Sequence, residues 1–239
     1  MKMAGQELID AARRGDQAEV ARLIAAGAAV DASDKEGKTA LMVAAQYGRT
    51  AIFAALIGAG ADVEARDKEG WTALMWAAWH GPPNTIVTLL DAGTEVDARD
   101  KNGWTALLWA SWYGNTAVVS ALLDVGAAVE ARDKKGWTAL MWATWHGHPD
   151  TIVTLIAAGA SVDARDSHGK TALMWAAEAG RTATVTALIA KGAAVDARDS
   201  HGKTALDWAI EEPVREALIA AGAPPQSTKT PSQTRGMQP

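Results

Sequence analysis

Eleven tryptophans hold most of the recognition chemistry of this 239-residue chain. They fall in three registers, each with a spacing of 33 residues: Trp71, Trp104 and Trp137; Trp76, Trp109, Trp142, Trp175 and Trp208; and Trp79, Trp112 and Trp145. An indole is a large, rigid apolar surface with a negative face. It stacks on other rings, on apolar side chains and on sugars, and it attracts an ammonium group by roughly 0.5–2 kcal/mol. The chemistry implied is noncovalent recognition. Reaction chemistry has no comparable signal. There is no cysteine, so thiol catalysis, disulfides and Cys-based zinc sites are excluded. No nucleophile–base–acid set, phosphate loop or pair of catalytic carboxylates can be picked out. The chain reads as a non-enzyme, and no cofactor is expected.

The elements that must position these rings share their period. Thr-Ala-Leu begins at Thr39, Thr72, Thr105, Thr138, Thr171 and Thr204, every 33 residues. In the unit 67–99, Thr72 is a fitting helix N-cap, since its hydroxyl can accept from the free N–H groups of the first turn. A short helix is expected over 73–79, ended by Gly81 in the left-handed C-cap conformation. Pro82 and Pro83 suit the start of a second helix, over 85–92 and ended by Gly93. The Val-Asp-Ala-Arg-Asp-Lys-x-Gly stretches are polar and turn-rich, and read as hairpin loops between units. Neither helix is long enough to persist alone in water, so burial must come from stacking unit on unit.

Two short helices and a hairpin per 33 residues resemble the ankyrin repeat. The strings TALMVAA, TALMWAA, TALLWAS, TALMWAT and TALDWAI and the closing GAxVDARD resemble its signature over residues 5 to 223. Ala stands where that signature has Pro, and Met, Leu or Asp where it has His. The resemblance implies an all-α solenoid of helix-turn-helix units joined by hairpins. The expected units are a polar N-terminal cap over 5–33, then 34–66, 67–99, 100–132, 133–165 and 166–198, and a C-terminal cap over 199–223. Residues 224–239 hold four prolines and almost no apolar side chains, and are expected to be a disordered tail. His148 sits where ankyrin repeats often carry Gly-His, which implies a structural role and not a metal ligand.

Composition narrows the partners. The net charge is −5 with mixed signs, which argues against nucleic acid. No apolar run approaches a membrane span or a signal-peptide core. The chain reads as soluble, cytoplasmic and monomeric. Arg66, Arg99, Arg132, Arg165 and Arg198 each precede an Asp and read as a solvated charge ladder, worth little per pair.

With position one at the Asp of each unit (Asp67 in the second full unit), the three tryptophan registers are positions five, ten and thirteen. At about 100° per residue, Leu74, Ala77 and Ala78 form the core face, and Trp76, Trp79 and His80 point away from it. In ankyrin repeats that outward face of the first helix lines a concave groove. The resemblance therefore implies that Trp79 with His80, Trp112 with Tyr113, and Trp145 with His146 are presented in register along it. Position ten is open between packing and binding, position thirteen is expected to face solvent as an apolar patch that marks a binding site, and position five is left undecided.

The bias is local. Unit 34–66 carries Lys38, Val43 and Gln46 at the three places, and unit 166–198 carries Lys170, Trp175 and Glu178. The first reading is recognition of a protein or peptide partner, since Trp and Tyr are typical hot-spot residues. The string GWTALMWAAW also resembles the methyl-lysine-binding ankyrin repeats of histone lysine-9 methyltransferases. That resemblance implies cages at Trp71, Trp76 and Trp109; at Trp104, Trp109 and Trp142; and at Trp137, Trp142 and Trp175. Without an acid at position thirteen, which among the five central units is present only as Glu178, such cages would favour a quaternary methylammonium ligand. Carbohydrate stacking ranks third, because the rings lack a surrounding set of Asn, Asp and Gln.

Overall fold

The computed structural model describes residues 2–224. It is an all-α stack with two helices per unit and, among the described residues, only isolated β-bridges, such as that between Ser33 and Thr39. The helices run in pairs: α1 (Lys2–Arg14) with α2 (Gln17–Ala25), α3 (Ala40–Gln46) with α4 (Thr50–Gly58), and α5 (Ala73–His80) with α6 (Pro83–Asp91). They continue with α7 (Ala106–Tyr113) and α8 (Thr116–Asp124), α9 (Ala139–His146) and α10 (Pro149–Ala157), and α11 (Ala172–Glu178) and α12 (Thr182–Ala190). The last pair is α13 (Ala205–Trp208) and α14 (Glu212–Ala220). First helices pack on first helices and second on second, so one apolar core runs the length of the stack. The expected solenoid is therefore observed. The expected tail lies outside the described residues apart from Pro224.

Local chemistry sets each pair. Thr72, Thr105, Thr138 and Thr171 accept from the backbone N–H three residues on, at 3.4–3.5 Å, as N-caps do. One expected cap is corrected. Gly81 is extended (φ −77, ψ 156) and not left-handed, unlike Gly114 and Gly147. The cause is Pro82, because a residue before proline is forced towards extended backbone. Glycine is still required there, since a Cβ would lie 2.6 Å from the Ala77 carbonyl oxygen and 3.1 Å from that of Ala45. α6 also starts earlier than expected, at Pro83, which supplies no N–H and so loses nothing in the first turn.

The hairpins are stitched from unit to unit. The backbone N–H of Lys68 donates to the Glu36 carbonyl at 3.0 Å, and Lys101 to Glu69 likewise. The arginine ladder is corrected here: its guanidiniums are bonded, not simply solvated. Arg99 Nη1 donates to Gly103 O at 2.9 Å and to Arg132 O, one unit on, at 2.6 Å. Arg66 bonds the Arg99 carbonyl in the same way, and Arg132 that of Arg165. Like-charged side chains thus repeat along one edge because each is satisfied by backbone. Arg99→Ala should lower stability by about 1 kcal/mol, read as a shift of the urea midpoint at constant slope. A shift within error would make the ladder ornamental.

Candidate functional site

Position ten is set by the Asp at position one. Asp67 Oδ1 accepts from the backbone N–H of Glu69 and Trp71 at 2.9 Å, which closes the hairpin, and Oδ2 accepts from the Trp76 indole N–H at 3.0 Å. Asp166 holds Trp175 in the same way at 3.1 Å, and Asp199 holds Trp208 at 2.9 Å. One carboxylate therefore shapes a hairpin and fixes a ring. In Asp199 the N–H donors of Lys203 and His201 and the Trp208 indole outweigh burial, the largest single influence, and the carboxyl is held below its usual range. The middle units differ. The indole N–H groups of Trp109 and Trp142 and Asp100 Oδ2 are buried without a hydrogen-bond partner among the described residues. Burial pushes the Asp100 carboxyl up, against the opposing N–H groups of Trp104 and Asn102. The Trp109 indole pulls the same way as those N–H groups, although it falls outside hydrogen-bond geometry.

The outward face expected for position ten is not solvent-facing. Trp76 and Trp142 are only 7% exposed, and Trp109, Trp175 and Trp208 are partly buried. The position-five rings cover them. Trp71 lies 4.5 Å from Trp76 and 4.3 Å from Trp109, centroid to centroid. Trp104 lies 4.3 Å from Trp109 and 4.7 Å from Trp142, and Trp137 lies 4.1 Å from Trp142 and 4.3 Å from Trp175. Each hairpin ring thus bridges two helices, and Trp104 and Trp137 are themselves buried. The result is one zigzag seam running 76-71-109-104-142-137-175. Rings this close touch one another. An ammonium therefore does not lie between the paired ring faces, although Trp71, Trp76 and Trp109 also border open space on their other side.

Position thirteen is half-buried, where a solvent-facing patch was expected. Trp79 packs on Trp71 (5.4 Å) and Trp76 (5.1 Å), Trp112 on Trp142 (4.6 Å) and His146 (4.5 Å), and Trp145 on Trp175 (5.4 Å). Tyr113, at 41%, and His80 stay exposed, and their rings are 5.4 Å apart. His146 is partly buried, and its Nε2 has no hydrogen-bond partner among the described residues. Burial, with His148 and Arg181 adding positive charge, pushes its pKa down. His148 bonds the Trp112 carbonyl at 2.9 Å and ties two units together, which agrees with the structural role expected of it.

Lysines terminate the seam, a feature the sequence reading missed although it named two of them as the edges of the bias. At position five of unit 34–66, Lys38 Nζ lies 3.6 Å from the Trp76 ring. At position five of unit 166–198, Lys170 Nζ lies 4.0 Å from Trp175 and 3.2 Å from Trp208. Lys170 also pairs with Glu178 at 2.6 Å. The one position-thirteen acid expected to serve a ligand is therefore occupied by the protein's own ammonium, held between two rings. The signal available in the sequence was Lys at the position where the central units carry Trp.

Where the seam begins, an open groove of about 670 Å³ remains. Trp71, Trp76, Trp79, Trp109 and Tyr113 line its apolar side, and Lys35, Glu36, Lys38, Asp67, Lys68, Glu69 and Asn102 its polar rim. It spans units 34–66, 67–99 and 100–132, one unit nearer the N-terminus than the aromatic bias suggested. Trp104, Trp137, Trp142, Trp145, His146, Trp175 and Glu178 do not reach it. Among the described residues, no helix is long and apolar enough to cross a membrane.

Comparison with known proteins agrees with this architecture. A model of "Ankyrin repeats (3 copies)" matches residues 8–100, 84–166 and 152–228. Among similar solved structures is the ankyrin repeat domain of Bcl-3, described as a unique member of the IkappaB protein family. It is 29% identical, with a TM-score of 0.77, over 89% of this chain and 97% of that one. No curated protein sequence matches significantly.

Proposed function

This chain belongs to the ankyrin-repeat family, and we propose that it is a non-catalytic binding protein whose aromatic groove recognises a protein or peptide partner. The observation that carries this is the groove at Trp71, Trp79, Trp109 and Tyr113. It is where the seam stops covering itself and leaves indole and phenol faces open beside charged hairpin tips. An apolar floor with a polar rim is the usual anatomy of a recognition site, and a volume of several hundred cubic ångströms takes two or three peptide side chains.

The closed seam weighs against the other two readings. A quaternary ammonium would have to bind on an outer ring face, where Lys38 already places a positive charge. Sugar stacking finds few polar partners: of the amide and carboxylate side chains that line the groove, Asp67 is committed to three N–H donors and Glu36 pairs with Lys35, which leaves Asn102 and Glu69.

The test is selection of peptides from a random displayed library on the full chain. Enriched peptides should lose at least about tenfold in affinity on a Trp79→Ala, Tyr113→Ala double variant whose circular dichroism is unchanged. Peptides that bind that variant equally well would place recognition elsewhere.

A further inference from the structure

Because the chain is repetitive, it contains its own control for the groove. Lys38 and Lys170 occupy the same repeat position, and each lays its ammonium on the position-ten ring of the following unit, Trp76 and Trp208 respectively. Lys170 is completed by a carboxylate, Glu178 Oε2 at 2.6 Å. The corresponding residue beside Lys38 is Gln46. Lys38 forms no ion pair among the described residues, and it faces the groove, whereas Lys170 is buried. The same half-site thus occurs twice, once closed by the chain and once open.

On the rim Lys35, Lys38 and Lys68 balance Glu36, Asp67 and Glu69 in formal charge, and among the described residues none of these carboxylates comes within ion-pair distance of Lys38. Asp67 is taken up by three N–H groups, and Glu36 lies 3.6 Å from Lys35. A cation resting on a ring face and lacking a counter-ion recognises an anion, and a carboxylate hydrogen-bonds to it with charge assistance. An apolar side chain beside that carboxylate would fill the aromatic floor.

We infer that the groove takes an acidic peptide segment, whose carboxylate pairs with Lys38 as Glu178 pairs with Lys170 while a neighbouring apolar side chain packs on Trp79 and Tyr113. This rests on the peptide-binding reading above and adds the chemical class of the partner. Two substitutions separate the terms. Lys38→Gln removes the cation. Gln46→Glu supplies the missing carboxylate from within the chain and should close the open half-site on itself.

The probes are acetyl-Leu-Trp-Glu-Glu-Leu-amide and its Leu-Trp-Gln-Gln-Leu counterpart. Binding is followed through the nitrogen-15 indole resonances of Trp79 and Trp109 in the full chain. The acidic peptide should bind about tenfold tighter than the neutral one, a difference of about 1.4 kcal/mol. Both Lys38→Gln and Gln46→Glu should erase that preference, with the indole spectrum of each variant otherwise intact. Equal binding of the two peptides, absence of binding by both, or a preference that survives in Lys38→Gln would overturn the inference. The library selection above reports separately whether the groove holds any peptide, so the two readings fail independently.

Discussion

Trp142→Ala is expected to lower the unfolding free energy by about 3–5 kcal/mol, the cost of removing a buried aromatic from a core. Its ring touches Trp137 at 4.1 Å, Trp112 at 4.6 Å and Trp104 at 4.7 Å, and it is only 7% exposed. Its indole N–H makes no hydrogen bond among the described residues, so the loss is packing alone. Neighbouring rings are pinned by their own hairpins and cannot collapse fully into the void. The site also decides cooperativity. A stack of repeats is coupled only through nearest neighbours, and Trp142 carries ring contacts between units 100–132 and 133–165. Weakening that junction should split the urea transition into two steps by circular dichroism, with amide exchange fastest around residues 137–146. A single transition displaced by less than about 1 kcal/mol would mean that the seam adds little coupling beyond the alanine core.

The period, the caps and the proline starts are local signals, and they placed both helices of unit 67–99 to within two residues: α5 ends at His80, one residue past the expected end, and α6 begins at Pro83. Gly81 also had a local signal, in Pro82. Trp76, whose position was open between packing and binding, is a different case. A helical wheel treats a helix alone, and on it Trp76 correctly lies opposite Leu74 and Ala78. What covers Trp76 is Trp71, which reaches back from the hairpin of the same unit and also lies on Trp109 one unit further on. That contact exists only when units are stacked, and no window of one repeat contains it. The same holds for the second of Arg99's two partners, a backbone carbonyl 33 residues away. The groove was legible as aromatic but not as displaced towards the N-terminus, because its position depends on where rings stop finding partners.

Glu178→Ala is expected to cost about 2–3 kcal/mol, and Lys170→Trp in the same background to restore most of it. The Lys170 side chain is 7% exposed, with its ammonium on two indole faces and a single carboxylate at 2.6 Å. Removing one partner of a buried pair typically costs about 3–5 kcal/mol, because the remaining charge has no counter-ion. Glu178 is itself 27% exposed, so water can partly replace it, and the lower figure applies. High salt should change the wild-type midpoint little, since a buried pair is poorly screened. The rescue follows from the repeat. Lys170 sits between Trp175 and Trp208 as Trp137 sits between Trp142 and Trp175. A tryptophan there would extend the seam by one ring and bury apolar area where the unpaired charge had been, at about 0.5–1.5 kcal/mol per aromatic contact beyond the area itself. Urea midpoints of the wild type, the single variant and the double variant decide the matter. A single variant within about 0.5 kcal/mol of wild type would show that the two rings alone satisfy Lys170. A double variant no more stable than the single one would show that the lysine slot is not a vacant ring position.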